Sequence, residues 1–203
     1  MSMEKTNKRE KQKAATKIAL FKAATALIKK NGFDKASVRD IANAADVTTG
    51  AFYVHFRSKE DIVSQVFYEN LNDYIMHSIS SLDQERIDPA DHLIAILIAE
   101  FKFANTIGVE LTTLAYITNF TANMTIPGSH FEKRRFVTSI QQDIEQLEGQ
   151  KRLLIQPANE VLFDLSSMIR GIMATWCFAN GDFDIVDHGT ITINRLIKTL
   201  IRK

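Results

Sequence analysis

An all-α fold is predicted for this chain of 203 residues by three observations. Helix breakers are scarce, 8 Gly and 3 Pro, in a sequence that is 45% hydrophobic and 24% charged. Apolar residues recur at intervals of three and four through most of the length, the spacing of one helical face. No stretch sustains the alternation of a strand. The expected organisation is a three-helix head, a connecting helix and a larger helical body, about nine helices in total.

Each element has its own signals. Residues 1–12 are charged and polar and read as a mobile basic arm. A first helix runs to about Lys30 on the stripe Ile18, Phe21, Thr25 and Ile28, and Asn31-Gly32 stops it. Ser37 with Asp40 makes a capping-box-like start. Val38, Ile41, Ala42 and Ala45 then bury one face of a second helix, which Asp46-Val47 interrupts. Thr48 caps a third helix, with Phe52 and Phe56 facing inward. Ser58 with Asp61 opens a fourth, continuing to about Ser81 on Ile62, Val63, Val66, Phe67 and Leu71. Pro89 suits a first helical turn. Further helices are expected over 89–106, 109–124, 130–148, 158–180 and 184–202, separated at Gly108, Pro127-Gly128, Gly149 to Pro157 and Gly181. The domain boundary is expected at residue 60.

Charge divides along the same line. Residues 1–60 carry 13 Lys/Arg against 6 Asp/Glu, whereas residues 61–203 carry 12 against 18. A basic front and an acidic remainder predict that only the front meets a polyanion. The single Cys177 leaves no intramolecular disulfide and suits a reducing compartment. With no signal-peptide core, and no apolar run near the roughly 18–20 residues of a spanning helix, a cytoplasmic location without membrane contact is expected. The histidines His55, His77, His92, His130 and His188 show no paired spacing, so no metal site and no cofactor are expected. Nor is there a nucleophile–base pair or a Gly-rich phosphate loop, so the chain is not read as an enzyme.

The segment Ser37 to Lys59 carries the chemistry. Two short helical patterns flank a tight turn, and the second bears small, polar and aromatic residues where a solvent-facing helix would carry Glu and Lys. A helix about 10–12 Å across fits the major groove if its exposed face lets the backbone come close. Gly50 and Ala51 supply that closeness, and Thr48 and Thr49 offer hydroxyl and N–H groups. Tyr53 and His55 are long enough to reach phosphates, and Val54 can meet a thymine methyl. Lys59 opposes the helix macrodipole unless a phosphate sits at that helix end, and Arg39 can reach a phosphate or a guanine edge.

Over Lys17 to Phe67 the chain resembles the amino-terminal helix-turn-helix of the TetR family of bacterial transcription regulators. The likeness is strongest in Ala51-Phe52-Tyr53-Val54-His55-Phe56, in the following Ser58-Lys59-Glu60, and in the preceding Ile41-Ala42-x-x-Ala45. Asp46 departs from the Gly usual in that turn, and Ala51 from a common Thr. The resemblance implies a homeodomain-like helix-turn-helix head and a ligand-binding and dimerisation body. It also implies DNA contacts by Arg39, Thr48, Thr49, Gly50, Ala51, Tyr53, Val54, His55 and Lys59. The implied activity is that of a repressor which binds a palindromic operator as a homodimer and is released by a small molecule. A ligand-independent structural or cell-division factor on the same scaffold is the other reading.

The last two helices are expected to supply the dimer surface through Leu165, Ile169, Ile172, Met173, Trp176, Ile193, Leu196, Ile197 and Leu200. Gly171 and Ala174 would allow close helix approach. A ligand cavity is expected among Phe103, Thr112, Thr113, Tyr116, Asn119, Phe120, Asn123 and Trp176, which mix apolar walls with hydrogen-bonding groups. An ordinary core with polar edges fits the same pattern.

Overall fold

The computed structural model describes residues 2–80, 87–125, 135–154 and 157–202. Among them the helices are α1 (Ser2–Asn31), α2 (Val38–Ala44), α3 (Thr49–His55), α4 (Lys59–Ile79), α5 (Pro89–Ile107), α6 (Val109–Thr125), α7 (Arg135–Gly149), α8 (Ala158–Phe178) and α9 (Ile185–Leu200). The chain forms two compact units. One runs to Tyr68 and adds Glu110–Thr121; the other comprises Glu69–Val109 and the residues from Ala122 onward. The boundary expected at residue 60 falls in the first turn of α4, a helix with neither Gly nor Pro that both units share.

In the first unit α1 packs on α2 and α2 on α3. Leu20, Ala24 and Ile28 of α1, Ile41 and Ala42 of α2, Phe52 of α3 and Ile62, Val63 and Phe67 of α4 are buried together with Phe56. Each large side chain withdrawn from water contributes about 1.5–3 kcal/mol before entropy is counted. Ser37 and Asp40 form the expected capping box: the Asp40 N–H donates to Ser37 Oγ at 3.1 Å and the Ser37 N–H to Asp40 Oδ2 at 3.4 Å. Residues 2–12 are not the expected irregular arm; they are the opening turns of α1. The physical reason is local. Glu, Lys, Arg and Gln dominate the stretch, and Gly and Pro are absent from it.

In the second unit α5 lies against α7 and α9, α7 against α8, and α8 against α9. The α5–α9 approach depends on Gly189, where any Cβ would run into the Phe101 ring. Asp88 caps α5 by accepting from the Ala90 N–H at 2.9 Å, and it also receives Arg152 as a fork, at 2.6 and 3.2 Å. That guanidinium holds the Asp88 carboxyl below the usual carboxylate range. Arg152 Nε donates to the Arg202 carbonyl, and the backbones of Leu153 and Ile201 form an antiparallel bridge that fastens the residues after α9. His92 of α5 meets Asp143 of α7 at 2.8 Å.

By length and composition α8 is apolar enough to cross a membrane, contrary to the expectation from the sequence. Its stripe Val161, Leu165, Ile169, Met173 and Trp176 is buried in the second unit, although only 28% of its apolar window is buried.

Candidate nucleic-acid interface

The turn between α2 and α3 is built on Asp46, which takes the left-handed conformation (φ 54) that Asp accepts more readily than most residues. The Val47 N–H then reaches back to the Ala42 carbonyl at 3.0 Å. Thr48 caps α3, accepting from the Ala51 N–H at 3.1 Å. Phe52 and Phe56 turn inward with ring centroids 5.6 Å apart and are essentially inaccessible. Their phase leaves the other side of α3 in solvent: Tyr53 is 60% and Val54 72% exposed. Thr48, Thr49 and Gly50 are exposed with them, Ala51 is half-buried, and Arg39 is exposed in the first turn of α2.

Gly50 has no intrachain reason to be glycine. A Cβ there would meet only Thr48 Oγ1, at an ordinary 3.7 Å. Gly50 is the second residue of α3, and the open space on that side leaves the backbone of the first turn accessible.

His55 ends α3 half-buried. Its pKa is lowered, first by desolvation and then by the positive charges of Lys13 and Lys17 on α1, so the free protein holds it neutral at neutral pH. Those two lysines were missed as members of this surface. They are remote in sequence, and only the packing of α1 brings them to the end of α3.

Lys59 departs from its expected place. Its ammonium donates to the Phe33 carbonyl at 2.5 Å and lies 4.0 Å from the Phe33 ring centroid. A carbonyl and an aromatic face together hold the cation better than solvent does, so it belongs to the turn between α1 and α2. On the other side of the same residue the Phe33 N–H donates to Glu110 Oε1 at 2.6 Å. At the start of α4 the Asp61 N–H donates to Ser58 Oγ at 3.2 Å, and Asp61 accepts from the Arg57 N–H.

The residues expected around a ligand divide between the two units. Phe103 is buried in the second, against Tyr74 with ring centroids 5.5 Å apart. Thr112 is buried in the first, where Thr113, Tyr116 and Asn119 are half-buried and Asn119 Nδ2 donates to the Tyr68 hydroxyl at 2.9 Å. Phe120 is 63% exposed and lines no interior: α6 buries Leu111, Thr112 and Ala115, and Phe120 lies about 140° around the helix from Ala115. The Asn123 side chain lies outside the described residues. Trp176 offers no dimer surface within the chain's own packing; it is 4% exposed, and its Nε1 donates to the Phe183 carbonyl across the turn from α8 to α9.

The expected dimer surface is corrected more widely. Leu165, Ile169, Met173, Ile193, Ile197 and Leu200 are buried within a single chain, and Ile172 and Leu196 flank those stripes half-buried. They are core because α8 and α9 pack on each other, α8 on α7 and α9 on α5. The outward side of α8 instead presents Phe163, Ser167, Arg170, Gly171, Thr175 and Phe178, with Phe163 65% and Phe178 90% exposed. Nothing described in the chain lies within 4 Å of a Cβ built on Gly171. Large apolar residues stand on both sides of α8, so periodicity alone could not say which side meets the chain's own core.

A buried aromatic pair, a capped second helix and an outward face of small and aromatic residues define a helix-turn-helix protein of the DNA-binding class. Residues 20–66 match the family described as bacterial regulatory proteins, tetR family. That likeness covers the head alone. The fatty acid metabolism regulator protein of Bacillus subtilis is 35% identical over 65 residues, which cover 32% of this chain and about a third (34%) of that relative. The probable acrEF/envCD operon repressor of Escherichia coli K12 is 24% identical over 200 residues, covering 94% of this chain and 90% of the relative. Among solved structures, the regulator FadR of Bacillus subtilis in complex with stearoyl-CoA shares the fold, with a TM-score of 0.58 at 19% identity over 90% of this chain and 98% of that one.

Proposed function

We propose that this chain is a DNA-binding transcriptional regulator of the cytoplasm, acting as a repressor that binds a palindromic operator as a homodimer and is released by a small-molecule ligand. The outward face of α3 carries the reading. Thr49, Gly50, Tyr53 and Val54 stand in solvent on a helix whose opposite side is anchored by Phe52 and Phe56. Such a face presents backbone, hydroxyls and one apolar contact to a groove. Thr48, Ala51, His55 and Arg39 border it, while Lys59 serves it indirectly by fixing the turn at Phe33.

The homodimer is supported by the outward face of α8, because a second α8 can approach Gly171 closely between Phe163 and Phe178. Two heads on a two-fold axis would read half-sites one helical turn apart. Release by a ligand is supported by the FadR relative, whose structure holds stearoyl-CoA. Thr112, Thr113, Tyr116 and Asn119, all in the first unit, remain the proposed ligand contacts.

The test is a titration of labelled duplexes taken from the DNA flanking the gene. Gly50→Leu is expected to lower affinity tenfold or more while leaving the helical circular-dichroism signal intact, since Leu favours a helix over Gly. Equal affinity of the Gly50→Leu protein would remove α3 from the interface.

A further inference from the structure

From Arg9 to Ala15, α1 has no part in the core of the head. Residues Arg9 to Ala15 are all exposed, and the first buried residue of the helix is Leu20. Their composition is one-sided: the first 17 residues hold six Lys/Arg against two Glu. Arg9, Lys13 and Lys17 follow one another at four-residue spacing, which places them on one face of the helix, and Lys5 continues the spacing in the sequence. Glu10, three residues before Lys13, lies to one flank. Like charges at this spacing weaken an isolated helix by about 0.2–0.5 kcal/mol per pair. Arg9 and Lys13 are exposed, and a counter-charge brought to that face would relieve the repulsion between them.

Its direction is fixed at its inner end. Lys13 and Lys17 both depress the pKa of His55 through their charge, and the Lys17 ammonium lies 6.0 Å from the Phe56 ring centroid. The stripe thus begins at the end of α3 that borders the outward face and runs away from the packed part of the head. At 1.5 Å per residue, Arg9 to Lys17 spans about 12 Å, between three and four base-pair rises of duplex.

We propose that the amino-terminal turns of α1 are a second DNA-contacting element, a cationic stripe of Arg9, Lys13 and Lys17 that lies along phosphates flanking the groove entered by α3. It supplies sequence-independent affinity, while base preference stays with α3 and Arg39. The inference rests on α3 meeting DNA, and its test separates the two.

The full-length chain and an Arg9→Gln/Lys13→Gln variant are titrated against a labelled random-sequence duplex over a series of KCl concentrations. Gln keeps the helix and removes the charge. The plot of log K against log [KCl] should be shallower in the variant by about 1.8, two contacts at about 0.9 each. An unchanged slope overturns the proposal, and so does an unchanged slope joined to lost binding of anionic phospholipid vesicles, which would make a membrane surface the partner. A Gly50→Leu protein that binds as wild type while the stripe variant loses slope would remove α3 and leave the stripe standing. A wild-type chain that binds no duplex would overturn both.

Discussion

His55 ends the recognition helix beside two lysines, and burial and charge both favour its neutral form. A phosphate set against the ring would do the opposite, so in the proposed complex DNA binding would take up a proton. The sign follows: the free-state pKa lies below the ordinary 6.5, the bound-state pKa lies above the free one, and affinity rises as pH falls through the window between them. Anisotropy titrations from about pH 8 to about pH 6 are expected to show tightening that His55→Asn abolishes. The same slope in the Asn variant would place the titrating group elsewhere. Folding responds the other way, because a depressed histidine gives stability that is complete above 6.5 and declines as pH falls towards the folded-state value. At this scale the sequence was informative wherever a signal is local. Phe52 and Phe56 four apart, the Thr48 cap and the tolerant Asp46 could all be read directly, because each depends on neighbours within a turn or two. The Lys59 ammonium could not, since Phe33 lies 26 residues away and only the fold brings them together.

Among the elements, α8 has most to do beyond its own packing. Its inner stripe is spent on α7 and α9, yet Phe163 and Phe178 remain in solvent beside Ser167, Arg170, Gly171 and Thr175. Charge placed there is expected to act on assembly and not on folding. Phe163→Asp/Phe178→Asp should shift the chain from dimer to monomer in sedimentation with little change in its thermal midpoint, because both side chains are mostly exposed within the chain. A doubly substituted chain that stays dimeric would move the interface elsewhere. Helix limits were legible to within a few residues, since Gly108, Pro89 and Gly181 punctuate the sequence. Which apolar face of α8 is inward was not, because that depends on α7 and α9. The start of α1 was misread for another reason: charge suggested an arm, but helix propensity at Glu, Lys, Arg and Gln outweighed it.

In the whole molecule, the proposed function joins a basic, groove-entering head to a body whose outward α8 face would pair two copies. The asymmetry of charge agrees, since the excess of Lys and Arg lies in the first 60 residues and the excess of Asp and Glu in the remainder. The most direct test of its central claim, that the outward face of α3 reads DNA, is selection of bound duplexes from a randomised pool by the purified chain. The expected result is enrichment of a two-fold symmetric sequence with half-sites about one helical turn apart, lost in the Gly50→Leu protein. No enrichment by the wild type, or the same sequence enriched by Gly50→Leu, would contradict it.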